Sequence, residues 1–413
     1  MGYEMSPDAS GRGEVPPHVK PDLVVDFNYF VPPGIEDDPH RAWKRLHEGP
    51  DIVYSPYNGG HWIATRADDI FAIMQDTETF SSREFIVPKR SPGTPNVIPN
   101  QLDPPQHGQI RSIILKPLAP KSIAPLEPMI REIMAARIAR IASQGRCDFV
   151  AEFADVPSEL FLRYARIPIE DLARVKKFAD TVARSDSDAD RKQARLDARE
   201  FLQDILNDRC RNPGEDLFSA IAMRENAGEI TREQSNSIAL NVFFGGLDTV
   251  ASALGFVITF LAQSPEHRRQ LIADPALSQD ATEELLRRFG LLNLARTCTR
   301  RTQFKGATIE ADELVMLPLH LANLDERKFK DPLTVDFKRQ RSAHYNFGTG
   351  VHRCVGSNLA RPEIRIFIEE WLKAIPEFSL DPDDKPVGQS GVVMAYRKVP
   401  LVWPTEATAV AAE

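Results

Sequence analysis

Cysteine is scarce in this chain. Four occur in 413 residues, Cys147, Cys210, Cys298 and Cys354, with no Cys-x-x-Cys pair and no regular spacing, so neither a zinc site nor a disulfide framework is indicated and a reducing compartment fits. Positive charge is also in deficit. The formal net charge of −8 argues against a general affinity for nucleic acid, and any local basic patch would sooner meet an acidic protein. The first 25 residues (1–25) mix Pro, Gly, Ser and charge with no apolar run, which predicts a flexible tail rather than a signal peptide or a membrane anchor. No internal repeat, low-complexity tract, nicotinamide or flavin fingerprint or iron–sulfur cysteine cluster is present. A cytoplasmic protein with no nucleic-acid and no membrane partner is expected.

With 42% hydrophobic content the chain can fill one large core, so a single domain over 26–405 and a short C-terminal tail over 406–413 are expected. Its elements read as mostly helical. Asp38 to His47 and Asp68 to Gln75 have helical spacing, His61 to Thr65 reads as a short strand between them, and Thr308 to Leu317 belongs to a second β region. Leu160 to Ile167 and Ala198 to Asn207 are amphipathic helices, whereas Ala183 to Arg195, where only alanine is apolar, has the composition of a mobile connection. Ser91 to Pro105 is rich in Pro, Gly and Asn and long enough to form part of a pocket roof. It ends in Asp103-Pro-Pro-Gln-His107-Gly-Gln-Ile-Arg111, whose prolines fix a helix start and whose His107 and Arg111 share one helical face. Both can point at one anion, although on the residues alone a solvated His/Arg face is the commoner outcome.

Thr231 and Gln234 form a capping box ahead of a long helix, and from Ile238 to Ala262 Asp248 is the only charge. Length and hydropathy would let this stretch span a bilayer. Asn241, the mid-span Asp248 and the lack of flanking basic asymmetry favour instead a helix buried in the core of a large domain. Inside it lies Phe244-Gly-Gly-Leu-Asp-Thr249. Two glycines cost about 1–2 kcal/mol of helix propensity relative to alanine, so they serve either a tight helix crossing or the approach of a flat ligand. Ser264-Pro-Glu opens a further helix, and Ser278 or Asp280 opens the next, which carries Glu283-Glu284-Leu-Leu-Arg287-Arg288. On spacing alone Glu284 and Arg287 read as a surface ion pair.

The stretch Phe347-Gly-Thr-Gly-Val-His352-Arg-Cys354-Val-Gly356 sets one cysteine between glycine-rich backbone and the apolar start of a helix expected from about Val355. Gly348, Gly350 and Gly356 remove side-chain bulk, and a helix N-terminus favours the thiolate over the thiol. Taken singly, the cysteine could as well be an inert buried residue after a turn. In its setting, Phe-Gly-x-Gly-x-His-x-Cys-x-Gly resembles the signature of the cytochrome P450 family of haem-thiolate monooxygenases.

Three further motifs agree in the family's order: Asp-Pro-Pro-x-His-x-x-x-Arg, Gly-Gly-x-Asp-Thr and Glu-x-x-Arg. The resemblance implies a mainly α fold with small β-sheets, the cytochrome P450 fold, holding haem b (iron protoporphyrin IX). It implies Cys354 as the iron ligand with Phe347 packed beside the sulfur and Gly356 giving clearance. Haem-propionate contacts fall to His107, Arg111, Arg296 and His352, with Arg353 on the nearby surface. Gly245 and Gly246 would line the oxygen pocket, and Asp248 and Thr249 would deliver protons. Glu284, Arg287 and Arg339 would form a scaffold with no part in bond breaking.

Glu283-Glu-Leu-Leu-Arg-Arg-Phe289 and Phe244-Gly-Gly-Leu-Asp-Thr-Val250 resemble the camphor-hydroxylase branch more closely. That implies O2 as oxidant and electrons from a [2Fe–2S] ferredoxin served by a separate ferredoxin reductase. The loop Gly93 to Pro99 lacks the tyrosine that in the camphor enzyme bonds the substrate ketone. A small apolar terpenoid or norisoprenoid selected by shape is therefore expected, with Phe244, Val97 and Ile98 as apolar walls. A haem-thiolate peroxygenase or isomerase, and a non-catalytic haem sensor, are the alternatives. Asp248 with Thr249 separates them, since direct peroxide use or isomerisation needs no such proton relay and a sensor would carry an output domain.

Overall fold

The structure, a computed structural model, describes residues 11–36, 38–185, 187–339 and 343–405. The expected tails at 1–10 and 406–413 lie outside the described residues. One sheet combines β1 (Ile52–Ser55), β2 (His61–Ala64), β3 (Phe80–Ser81), β4 (Asn293–Cys298) and β5 (Leu314–Pro318) in the order β1-β2-β5-β4-β3. Only β2 and β5 run parallel, with Trp62 opposite Val315. All residues of β1, β2 and β5 are buried, which is why these strands lack a polar face. Val19 and Leu23 are buried too, and Val24 bridges to Tyr54. The flexible tail expected through residue 25 is thus corrected: apolar side chains from Val19 onward fasten the chain to this sheet.

The helical body contains α1 (Gln106–Leu115), α2 (Val156–Tyr164), α3 (Asp188–Arg211), α4 (Arg232–Leu247), α5 (Thr249–Gln263), α6 (Ser278–Arg288) and α7 (Ser357–Ala374). The capping box at the start of α4 forms in full: the Gln234 amide donates to Thr231 Oγ1 at 3.2 Å and the Thr231 amide to Gln234 Oε1 at 2.8 Å. α3 corrects the connection expected over 183–195. From Asp188 onward that stretch is helical, because Ser187 caps it by accepting from the Asp190 amide and its charges form a solvated face with pairs such as Gln193 to Asp197 at 2.7 Å.

Two apolar cores divide the body. α5 and α7 pack into one with Phe149, Phe153 and Trp371; α1, α2, α3 and α4 build the other around Phe161, Phe201 and Phe243. The stretch Arg232–Gln263 is apolar enough to cross a membrane by length and composition, and 67% of its most apolar window is buried inside the domain. It is not one unbroken helix, as the sequence had implied. Asp248 separates α4 from α5; it stays in the right-handed region but departs from regular helix values (φ −110°, ψ −29°). One turn earlier Gly245 and Gly246 weaken the helix, and Thr249 Oγ1 donates at 3.2 Å to the Gly245 carbonyl, a side-chain bond that competes with the helical ladder. The break falls where the two cores meet.

Candidate active site

α1 starts after the Asp103-Pro-Pro turn and buries His107, whose ring centroid lies 4.2 Å from that of His352. His352 Nε2 pairs with Ser82 Oγ at 2.9 Å, and Arg296 is buried on β4. These groups oppose one another's charge. Burial and then the Arg296 and His107 charges drive the His352 pKa down to about 2; burial and Arg111 lower that of His107; burial brings Arg296 to about 10 against the pull of Asp103. His107 Nε2 and Arg296 Nε have no hydrogen-bond partner among the described residues. A buried guanidinium beside neutral imidazoles with unpartnered polar atoms is costly unless an anion completes the cluster. Arg111 joins from the same face of α1 and donates to the Arg353 carbonyl, next to Cys354.

The Cys354 loop is closed by its own backbone: the Cys354 amide donates to the Phe347 carbonyl at 2.8 Å. Gly350 is needed twice over, since it has φ +67° and an added Cβ would stand 3.2 Å from the Met74 carbonyl oxygen. α7 begins at Ser357 with Gly356 as its N-cap, two residues later than expected, and this offset aims amides at the sulfur. Burial raises the Cys354 pKa; the Gly356 amide, Arg111 and the Ser357 amide oppose that rise. Cys354 keeps accessible surface. Phe347 sits beside the loop with its ring 4.5 Å from Arg361 Cζ.

A cavity of about 380 Å³ runs along the α4–α5 junction, where Asn241, Phe244, Gly245, Asp248 and Thr249 form one wall. The structure gives the two glycines different surroundings. A Cβ on Gly245 would meet nothing within 4 Å, whereas one on Gly246 would come 2.7 Å from Phe161 Cδ2 on α2. Gly245 therefore borders the cavity, and Gly246 allows the helix crossing. The segment from Phe85 to Asn100 borders the cavity, so the roof expected over Ser91 to Pro105 contributes only as far as Asn100 and begins earlier than its composition implied; Val97 lines the cavity, whereas Ile98 packs into the core around Phe161, which corrects its assignment to the pocket wall. A brace missed by the sequence reading holds this roof. Arg90 pairs with Glu84 at 3.0 Å and donates to Gln101 Oε1 at 2.9 Å, and the same oxygen accepts from the Val97 amide at 2.7 Å. Spacings of six and eleven residues in a loop follow no helical or strand period, so no sequence signal marks it.

Glu284 and Arg287 are buried, not a surface pair. Two Arg287 nitrogens donate to the Glu284 carboxylate at 2.8 Å each, Arg339 Nε adds a third bond at 3.0 Å, and Arg287 also reaches the carbonyls of Asn323, Pro332 and Thr334. The sequence model of the cytochrome P450 family matches residues 161–395. This chain belongs to the cytochrome P450 family. It is 33% identical to a protein described as probable cytochrome P450 127A1 of Sinorhizobium fredii, over 94% of this chain and 97% of that one. The solved structure of cytochrome P450 CYP101C1 superposes with a TM-score of 0.87 at 37% identity, covering 95% of this chain and all of the other. That of CYP101J2 gives 0.87 at 34%, again over 95% and 100%, and both place this P450 in the camphor-hydroxylase branch.

Cytochromes P450 bind haem b through a cysteine thiolate, and haem b is the cofactor here. The residues of this chain fit that group. Among the described residues no three His, Cys, Asp or Glu side chains are grouped to hold a metal, so a metal at Cys354 must bring its other ligands with it, as haem iron does. The unsatisfied donors of His107 and Arg296 suit the carboxylates of a haem, and the clear space at Gly245 suits its flat face.

Proposed function

We propose that this cytochrome P450 inserts one oxygen atom from O2 into a compact, mostly apolar terpenoid or norisoprenoid, in the cytoplasm, with electrons from a [2Fe–2S] ferredoxin and its separate reductase. The single observation carrying this reading is the junction of α4 and α5, which puts a carboxylate (Asp248) and a hydroxyl (Thr249) on the wall of the cavity beside Gly245. Bound haem supplies an iron that activates oxygen. Cys354 would hold the haem, with Phe347 and Gly356 shaping the loop, while His107, Arg111, Arg296 and His352 would receive its carboxylates. Gly245 would leave room for the ring, and Gly246 lets α4 cross α2 closely. Thr249 holds a proton at Oγ1 and Asp248 passes protons to it, which moves them inward without opening the cavity to bulk water.

Phe244, Val97, Val392 and Val393 make the cavity wall apolar, in keeping with a terpenoid skeleton. On the Cys354 side, Leu115 and Val351 are exposed apolar residues on the two elements that Arg111 ties together, with Lys116 one residue and Arg353 two residues further along the chain. An acidic electron carrier suits such a face. The test is a screen of terpenoids and norisoprenoids for a substrate-induced haem spin-state shift, followed by turnover under ¹⁸O2. One labelled atom per product molecule is expected. A screen without any spin-state shift rejects the substrate class; unlabelled product rejects monooxygenation.

A further inference from the structure

The roof loop offers no tyrosine to a substrate, but the opposite wall carries an amide. Asn241 stands four residues before Gly245 and seven before Asp248 on α4, so all three lie on one helical face, and all three line the cavity. Its neighbours Leu240 and Val242 are buried in the apolar core, while Asn241 is only half-buried because its side chain faces the open space. That side chain makes no hydrogen bond to the described residues. Asn293 Nδ2 donates to the Gly391 carbonyl at 2.7 Å and Asn358 Nδ2 to the Leu118 carbonyl at 3.0 Å, whereas Asn236 on the same helix as Asn241 is buried with Oδ1 unpartnered among the described residues but does not line the cavity. An asparagine inside an apolar helix is favoured neither by helix propensity nor by burial, so an unpartnered one on a cavity wall is placed for a ligand.

Several other polar side chains around this space are employed within the protein, while Lys89 and Asn100 of the roof are exposed. Thr249 Oγ1 donates to the Gly245 carbonyl, and Arg191 and Arg195 of α3 are engaged with other groups, Arg191 with the Ser185 carbonyl at 2.5 Å. At 1.5 Å of rise per residue, Asn241 lies about 6 Å along the axis from Gly245 and about 12 Å from Thr249.

We propose that Asn241 is the specificity-determining polar anchor of this pocket, its amide bonding a carbonyl or hydroxyl oxygen at the end of the substrate remote from the Thr249 region. The inference rests on the terpenoid reading above and narrows it to skeletons that already bear one oxygen. An amide both donates and accepts, so ketone and alcohol are both bound. A hydrocarbon leaves the amide unpaired and is discriminated against.

The experiment uses three ligands of one bicyclic skeleton, the hydrocarbon, its ketone and its alcohol, with the haem-loaded enzyme. Affinity is read from the spin-state shift and, independently, from the ligand-induced rise in Tm. The wild type is expected to bind ketone and alcohol at least tenfold more tightly than the hydrocarbon, about 1.4 kcal/mol. Asn241→Leu should shrink that gap to within twofold without weakening the hydrocarbon. Asn241→Asp, which retains an acceptor but no donor, should keep the alcohol and lose the ketone, and it carries the test should the leucine variant fold poorly. A wild-type gap below twofold, a gap that survives Asn241→Leu unchanged, or a ketone gap that survives Asn241→Asp unchanged, overturns the anchor while the substrate class stands. Failure of the wild type to bind any of the three overturns both.

Discussion

Two buried polar regions of this P450 are built on opposite plans. In the Glu284–Arg287–Arg339 scaffold every charged group meets partners at 2.8–3.1 Å, and Arg287 alone ties α6 to three separate carbonyls of the segment 323–334. Around the cavity and the His107–Arg296 cluster the reverse holds: Asn241, His107 and Arg296 present unpaired polar atoms, and α4 gives way to α5 at Asp248. Satisfied networks fix a backbone, and unsatisfied ones await a ligand. The difference separates residues that fold this chain from residues that act in it.

The largest effect should come from breaking the first region. Arg287→Ala leaves Glu284 buried with one partner fewer and strands three carbonyls, so it should cost about 3–5 kcal/mol, read from the denaturant midpoint. A loss below about 1 kcal/mol would make the scaffold as dispensable as a surface pair. One group on α7, in the same half of the molecule, departs from the rule. Glu363 is buried with Oε2 unpartnered among the described residues, and burial raises its pKa to about 8. The folded state therefore holds a proton that the unfolded chain releases near pH 4.5. Its contribution to stability is complete below that pH and is lost as pH rises towards 8, at about 1.4 kcal/mol per unit. Glu363→Gln should be neutral at pH 5 and stabilise by a few kcal/mol at pH 8; equal midpoint shifts at both pH values would show that Glu363 ionises freely.

The glycine pair sharpens the same contrast within two residues. Gly246→Ala presses on the Phe161 ring and should destabilise by about 1–3 kcal/mol, whereas Gly245→Ala meets nothing and should hold or slightly raise the Tm while narrowing the cavity. Equal Tm changes would erase the distinction. The smallest effect on stability should be at Thr249. Thr249→Ala removes one bond to a carbonyl and should shift stability by under about 1 kcal/mol, yet product formed per O2 consumed should fall and peroxide release rise. Unchanged coupling would remove the relay and favour a peroxygenase.

Much of this was legible from local chemistry. The Thr231–Gln234 box, the glycines that loosen the Cys354 loop and the His107/Arg111 face are set by neighbours three or four residues away, and they stand as the sequence implied. What escaped depends on partners far along the chain. Nothing near Gly246 announces Phe161, eighty-five residues earlier, nor does Glu84 announce Arg90 in a loop without period. The helix read at Ala198 to Asn207 stands within α3, but its first turns over 188–195 were read as a connection because charge with only alanine as the apolar residue resembles a linker until a core receives Ala194. Asn241 was visible only as an argument against a membrane span, since the sequence does not show which face of α4 borders empty space.

The central claim is that Cys354 supplies the thiolate on the haem, and the ferrous carbonyl spectrum of the purified protein and of Cys354→Ser tests it without a substrate. The loop is held by the Cys354 amide and by glycines, not by the sulfur, so the variant should fold with nearly wild-type Tm in the absence of haem. The wild type should show the carbonyl absorption typical of thiolate-ligated haem, and Cys354→Ser should lose it. A variant that retains that absorption contradicts the assignment.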